Sequence, residues 1–562
     1  MFGLYDQEDI IGLTGVVVDR DDASNAILIA SFVREPHRGK GLSKLFYQAR
    51  IAWAREKGCA QITVSHRAGN ESSKAANQAF NFTYTHSREV EWPDGTVAAE
   101  LIPNERLPSV RVLSKEHGIS MNTAKRVFLA LEAQSLIYSI PQSGYFVNAL
   151  NQHKLQLPET GQIQLIADSV EPNELISSVY ANMGRKDLTL FSIGVPSGDL
   201  LPLAKLKKEI VLATRELDAG GAEYEPLQGN LKLRRMVAAR SLGWDGRLTA
   251  DDVITTNGCM HALSLCLMAL TKPGDTIALE SPCYPGILQL VLSLGLKVIE
   301  LTCDPMSGID IRSLERLLPE INVCLLVPNF NTPLGYCMPD KNKMEVVRLL
   351  AKHAVPLIED DTYGDIYFGS ERPKCCKTFD DEGNVLWCGS VSKTLAPGYR
   401  VGWVAAGKYK DQILRLKLIH ALSSTTLIHE AVGNFLMTGR YDHHLYDLRK
   451  TLQENYQRFA NVIAESFPEG TRISRPQGGL ALWVELPKSI DTTKLYNYGL
   501  KKKMSIAPGR MFTLQNQFQN CMRLCLGLPW TDELRFALVQ LGNLAKMMLH
   551  ANKTDPEIDH RP

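Results

Sequence analysis

The chain has 562 residues, too many for one hydrophobic core, and two to four domains are expected. Its net charge of +1 excludes a global attraction to nucleic acid or membrane, so any DNA-binding patch must be local. With 44% hydrophobic and 22% charged residues, no long apolar run and no basic leader, it reads as a soluble cytoplasmic chain without signal peptide or membrane span. The 12 cysteines are scattered, as at Cys259, Cys266, Cys283 and Cys303. The adjacent pair Cys375-Cys376 has no partner pair at zinc-ligand spacing, so reduced thiols and no metal site are expected.

Over residues 1–100 strand-like and helix-like stretches alternate. Gly12 to Asp19 and Ala26 to Val33 are β-rich. A basic turn with glycines, Arg34 to Ser43, runs into Lys44 to Lys57, whose apolar residues (Leu45, Phe46, Ala49, Ile51, Ala52, Trp53) suit a helix. Strand, glycine turn and helix start form a good pyrophosphate cradle: glycine lets the backbone approach, and free N–H groups point at the anion. Another strand, Ala60 to Val64, leads to a polar stretch with Asn70 and to Phe80 through Tyr84. The pattern Arg38-x-x-Gly41-x-Ser43 resembles the acetyl-CoA loop of GNAT N-acetyltransferases, where Gly or Ala usually stands at the Ser43 position. The resemblance implies acetyl-CoA at Arg38, Gly39, Gly41 and Ser43, with Tyr84 and His86 as candidate bases by position only. It covers roughly the later two-thirds of such a domain, since the usual first strand and two acceptor-binding helices have no room ahead of Met1.

Over 101–150 the pattern changes. Ser109, after Pro108, signals a helix start; His117-Gly118-Ile119 is a turn; Ser120 caps a second helix through Glu132. Two short helices across a glycine turn have helix-turn-helix geometry, the second helix presenting its first polar residues to a major groove. Leu136 to Ile140 and Tyr145 to Val147, joined by a turn with Gly144, make a wing. The segment resembles the winged helix of GntR-type regulators. That resemblance implies DNA contacts from Arg111, Ser120, Asn122, Thr123, Lys125 and Arg126, with Gly144 at the wing tip. The local charge over 104–147 is +2, of the right sign. The long first helix of that family is missing here, the preceding segment running nearly straight into Pro103. Residues 151–180, polar at first, read as a linker.

Beyond 181 several βα units follow one another. Phe191 to Pro196 is an extended entry segment, and Tyr224 to Gly229 a turn-rich one. Val253 to Ala262 is strand, glycine turn and apolar helix, and the N–H groups of Gly258, Cys259 and Met260 at that helix start suit a phosphate. A further strand ends at Ser281-Pro282-Cys283-Tyr284, another at Pro328-Asn329-Phe330-Asn331, and another in the acids Asp360 and Asp361 with Tyr363 beyond. Then come Ser390, Ser392, Lys393, Pro397-Gly398 and Arg400. A lysine that attacks an aldehyde must be partly desolvated so that its amine is neutral, and Ser390 and Arg400 can hold a phosphate on either side of it. Asn331, Asp360 and Lys393 are each about one βα unit apart, so all three can lie at carboxyl ends of strands in one sheet.

The run Ser390-x-Ser392-Lys393-x-x-x-Pro397-Gly398-x-Arg400-x-Gly402, with Asn331-x-Pro333-x-Gly335 and Asp360-x-x-Tyr363 upstream, resembles fold-type I pyridoxal-phosphate enzymes of the aspartate aminotransferase superfamily. The resemblance implies Lys393 as the cofactor lysine and base, and Asp360 (alternatively Asp361) on the pyridine nitrogen. Tyr284 would stack on the ring and Asn331 donate to its phenolic oxygen, with Tyr363 beside them. Gly258, Cys259, Met260, Ser390, Ser392 and Arg400 would bind phosphate, Tyr224 would reach the phosphate of a partner subunit, and Arg523 would grip a substrate α-carboxylate. The family often has a hydroxyl where Cys259 stands, so one phosphate bond is expected to be weaker.

The expected architecture is therefore multidomain α/β: a partial GNAT-like segment at 1–100, a winged helix-turn-helix at 101–150, a linker at 151–180, and an aminotransferase-like domain at 181–550 with a large sheet and a small C-terminal α+β part. A winged helix before an aminotransferase-like domain resembles MocR-type regulators. This implies a homodimer that holds pyridoxal phosphate, binds DNA and senses an amino-acid-like effector. A working aminotransferase is the rival reading, and an acetyltransferase the third.

Overall fold

The computed structural model describes residues 2–6, 9–18, 25–33, 61–64, 107–117, 120–133, 137–140, 144–147, 155–160 and 173–554. The chain divides into two units, 1–154 and 155–562.

In the first unit the strands Phe2–Asp6, Asp9–Val18 and Asn25–Val33 pair antiparallel in chain order, and Gln61–Val64 pairs parallel with the third. The strand Phe2–Asp6 is not anticipated by the sequence pattern, because five residues are too few to display a period. The helices Val110–His117 and Met121–Ala133 and the antiparallel hairpin Ile137–Ile140/Gly144–Val147 follow. Side chains cap both helices: Ser109 Oγ accepts the Val112 N–H at 3.3 Å and Ser120 Oγ the Thr123 N–H at 3.0 Å. Phe128 stacks on Tyr145 with ring centroids 4.5 Å apart, tying the second helix to the hairpin.

The second unit is organised by an eight-stranded sheet. Its order is Gly308–Ile309, Lys297–Asp304, Thr276–Ser281, Val323–Leu326, Leu357–Asp360, Val385–Ser390, Gly402–Ala405, Val253–Thr256. The five strands from Lys297–Asp304 to Val385–Ser390 run parallel, and Gly402–Ala405 is antiparallel to both its neighbours. Strands such as Val-Cys-Leu-Leu (323–326) are apolar throughout because helices cover both faces of a parallel sheet. One such helix, Cys259–Leu270, buries Ala262, Leu263, Cys266 and Leu267. A smaller sheet of Arg472–Ile473, Ala481–Glu485, Cys521–Cys525 and Ala507–Pro508 is accompanied by the helices Arg440–Ser466, Thr492–Lys501 and Asp532–Thr554.

The interval read as a linker needs correction at both described ends. Residues 155–160 are docked on the small sheet: the Ile473 N–H donates to Gln156 O at 3.0 Å, and Glu159 pairs with Arg472 at 2.8 Å and Lys488 at 3.0 Å. Asn173–Tyr180 is a helix with Ile176 and Val179 in the core. In 155–160 and 174–180 the polar residues lie on a solvated face of docked structure. Among the described residues no helix is long and apolar enough to cross a membrane.

Candidate functional site

The carboxyl edge of the large sheet gathers the polar groups. Each parallel strand ends in a turn there, and those turns hold Ser281 to Tyr284, Asn329 to Asn331, Asp360 to Tyr363 and Ser390 to Lys393. At one side Gly258 caps the helix Cys259–Leu270 with φ +87°, and a Cβ at that position would lie 2.3 Å from Arg400 Nη2. Arg400 itself is left-handed at φ +53°, and its guanidinium donates to Ser392 Oγ (3.4 Å), Pro397 O (3.1 Å) and Asn257 O (3.4 Å). Ser390 Oγ accepts the Ser392 N–H at 3.3 Å. The first bond inside the helix runs from the Ala262 N–H, so the N–H groups of Cys259 and Met260 have no helical acceptor. Arginine, two hydroxyls and a helix start thus face one small volume, a donor set suited to a phosphate dianion. The Cys259 thiol points inward instead, donating to Asp360 Oδ1 at 3.4 Å, so only its backbone faces that volume.

The two neighbouring acids separate by environment. Asp361 is consumed by structure: it accepts from Arg372 at 2.5 Å, Trp387 Nε1 at 2.9 Å and Asn329 Nδ2 at 2.9 Å. Asp360 points to the other side of the strand end, where Oδ1 takes Thr362 N–H (3.0 Å), Thr362 Oγ1 (2.5 Å) and the Cys259 thiol. Burial raises the Asp360 carboxyl above its ordinary range, against the pull of those donors. A buried acid with no ion-pair partner among the described residues is fitted to a protonated ring nitrogen.

Lys393 Nζ donates to the carbonyl of Gly194 at 2.7 Å and lies 5.8 Å from the centre of the Tyr363 ring. Burial, with Arg523 next and Arg400 further off, brings its ammonium down to about 8. Arg523, on the strand Cys521–Cys525, is buried; its Nη2 donates to the carbonyl of Ser192, and its Nε has no partner among the described residues. A Cβ at Gly194 would sit 2.3 Å from Arg523 Nη1, so glycine lets the guanidinium pack there while the Gly194 carbonyl takes Lys393 Nζ. An unsatisfied buried guanidinium N–H beside a weakly basic amine is a place for an α-amino acid.

Asn331 is fully buried; Nδ2 donates to Glu280 Oε2 at 2.7 Å and Oδ1 accepts the Leu334 N–H at 3.3 Å. Tyr284 caps the helix Pro285–Ser293, and its hydroxyl accepts from Tyr180 at 3.4 Å. Tyr180, Thr362 and Glu280 are not singled out by sequence reasoning. Glu280 carries a signal, a charge inside an apolar strand, whereas Tyr180 and Thr362 carry none. Tyr224 stands apart from these residues in the single chain, 79% exposed. Its segment is pinned by the Glu225 N–H to Ser423 Oγ (3.2 Å) and by Thr426 Oγ1 to Glu223 O (2.8 Å), close to the exposed Leu422.

In the first unit Arg111, Ser120, Asn122, Thr123, Lys125 and Arg126 are all exposed, while Ala124 and Phe128, one turn apart, are buried. The hydroxyls of Ser120 and Thr123 lie 2.8 Å apart. Gly144, φ +118°, pairs with Ile140 at the end of the hairpin where its two strands are joined. Arg38, Gly39, Gly41, Ser43, Tyr84 and His86 lie outside the described residues.

Residues 186–537 match the family model for aminotransferase class I and II, and residues 1–82 that for the GNAT acetyltransferase family. The chain is 36% identical over 440 residues to the uncharacterized HTH-type transcriptional regulator YjiR of Escherichia coli strain K12, covering 78% of this chain and 93% of that one. It is 26% identical over 370 residues to aromatic-amino-acid aminotransferase 1 of Thermococcus litoralis, covering 64% and 88%. Of solved structures, the multiple substrate aminotransferase of Thermococcus profundus is similar in fold, with a TM-score of 0.63 at 24% identity over 68% of this chain and 97% of that one.

Proposed function

Because the chain belongs to the aminotransferase class I and II family, and to the helix-turn-helix regulators built around such a domain, we propose that it is a MocR-type transcriptional regulator that answers to an amino-acid-like effector. The observation that carries this reading is the 440-residue match to a helix-turn-helix regulator, which spans far more of the chain than the aminotransferase domain's 186–537. The exposed polar face at 120–126, backed by buried Ala124 and Phe128, supports its reading as the recognition helix of a winged helix.

The site residues fit pyridoxal phosphate. Bound there, the cofactor supplies an electrophilic aldehyde and an electron-withdrawing ring. Lys393 offers an amine that is substantially neutral near pH 8 and so able to attack a carbonyl. Asp360 keeps a proton at the ring nitrogen, and Tyr284 and Asn331 orient the ring. Ser390, Ser392, Arg400 and the helix start at Gly258, Cys259 and Met260 bind phosphate. Arg523 binds the effector's carboxylate by its planar fork. Exposed Tyr224 reaches a second subunit, which makes the regulator a homodimer.

A working aminotransferase is the second reading, favoured by the presence of the full set Lys393, Asp360 and Arg523. One titration separates the two. The purified protein is mixed with a panel of amino acids while visible absorbance and keto-acid product are followed. A spectral change with little turnover, and effector-dependent DNA binding, is the outcome expected of a regulator. Fast multiple turnover with no DNA binding would make it an aminotransferase.

A further inference from the structure

We propose that Glu280 is a positioning residue of this site, acting through Asn331; the proposal rests on the reading of the site as a pyridoxal-phosphate seat. Glu280 lies in the strand Thr276–Ser281 and is 1% exposed. A carboxylate so deep would ordinarily need a cation. Its bonded neighbours are donors instead: the Tyr336 hydroxyl on Oε1, and the Val327 N–H (2.9 Å) and Asn331 Nδ2 (2.7 Å) on Oε2. Burial pushes the carboxyl up to about 7 against those donors, with Asp360 adding to the rise. The thiols of Cys283, Cys303, Cys324 and Cys376 feel its charge and are themselves raised by burial, so they stay neutral.

A carboxylate accepts from all three at once, whereas an amide or a protonated acid also presents a donor to the same neighbours. The consequence falls on Asn331. An asparagine amide can stand in two orientations of nearly equal shape, one presenting N–H and the other oxygen. Against a carboxylate only the N–H orientation is tolerated, and the Leu334 N–H on Oδ1 supports it from the far side (3.3 Å). One Nδ2 hydrogen then remains for a ligand oxygen. Glu280 also holds both ends of one turn, since the Asn331 N–H donates to Tyr336 O at 3.0 Å and the Tyr336 hydroxyl returns to Glu280. The accepting oxygen Oε2 therefore fixes which face of Asn331 meets the phenolic oxygen.

The test reads colour against pH in the holo-protein, not turnover. A donor at the phenolic oxygen favours the deprotonated form of the bound chromophore, so losing it moves the titration midpoint upward. Asn331→Ala is expected to raise the midpoint by about one pH unit, the size of one hydrogen bond. Glu280→Gln is expected to shift it the same way by about half a unit or more, and Glu280→Gln in the Asn331→Ala background to add nothing. Tyr336→Phe leaves both residues in place, weakens the hold on Glu280, and is expected to shift the midpoint the same way by less. If Glu280→Gln and Tyr336→Phe titrate like the unaltered protein while Asn331→Ala shifts, the Glu280 proposal is overturned and the site reading stands. Additive shifts in the double variant would also overturn it, because Glu280 would then act by another route. A purified protein with no bound chromophore would overturn the reading of the site and this proposal together.

Discussion

The candidate residues of the two units differ in what holds them. In the second unit Lys393, Asp360 and Asn331 sit at or just beyond the ends of different strands and Arg523 within the strand Cys521–Cys525, each tied to a named partner inside the protein. In the first unit Arg111, Asn122, Thr123 and Lys125 stand in solvent, while Ala124 and Phe128, between and behind them, are buried. A site for a small charged molecule must be dry and pre-arranged, and Lys393 and Asp360 carry that cost of burial as shifted acidity. A surface that meets a phosphate backbone needs exposed charge and little else. The first kind of site can be argued residue by residue from one chain; the second can be argued only by face.

The variant with the largest expected effect is Lys393→Ala, which removes the amine that Gly194 O accepts from. The visible absorbance of a lysine-bound cofactor should vanish completely, read by spectrum after gel filtration; a surviving covalent chromophore would move the site elsewhere. Next is Arg523→Ala. A buried, two-pronged grip on a carboxylate is worth about 3 kcal/mol or more, so affinity for α-amino acids should fall by about 100-fold or more. Affinity for a plain alkylamine should change little, and equal losses for both would mean that Arg523 supports the fold and not the carboxylate.

Acidity gives an effect of intermediate size. Lys393 is lowered from the ordinary 10.5 to about 8, so its amine is cationic below that value and neutral above it. Uptake of pyridoxal phosphate by apo-protein should therefore speed up about tenfold per pH unit below 8 and level off above it. A rate still climbing at pH 10 would mean that the lysine is not desolvated in solution. In the first unit the expected effect is smaller and of another kind. Lys125→Ala should weaken DNA binding about equally on all sequences and reduce the salt slope by about one, as a phosphate contact does. A change in sequence preference instead would bring the side chain to a base edge.

These contrasts also explain what could be read from the residues. Strand-end acids, the glycine before a helix and the Lys393 segment were legible because each needs a rare residue at a forced position. The strand pattern alone does not separate Asp360 from Asp361, since both follow the same apolar strand; the spacing to Tyr363 in the resembled family is what selects Asp360. The partner that occupies Asp361, Arg372, lies on a later loop whose return no local pattern foretells. Tyr180 was hidden for a related reason: its helix fell in a stretch whose polarity suggested a linker, while Ile176 and Val179 packed into the core. On the first unit the caps Ser109 and Ser120 were legible, being local by nature.

The smallest expected effect tests a finer point of the contrast, whether a buried site residue can be told from a merely neighbouring one. A hydroxyl is often found where Cys259 stands, and by resemblance it would touch phosphate. Here the thiol turns to Asp360 at 3.4 Å, a weak donor on an acid already held by Thr362. Serine at this position has a shorter reach and a stronger donor, so Cys259→Ser has two possible destinations for its proton. If it stays with Asp360, it favours the ionised acid, and cofactor dissociation should change by less than about threefold, below about 1 kcal/mol. If it turns to the phosphate, dissociation should slow by about tenfold, the worth of a charge-assisted bond. The N-terminal turn of the helix already supplies backbone donors there, and Arg400 with Ser392 closes the other side, so the phosphate has little need of another. The small change is therefore the expected one. A tenfold slowing would show that the inward thiol leaves the phosphate one bond short.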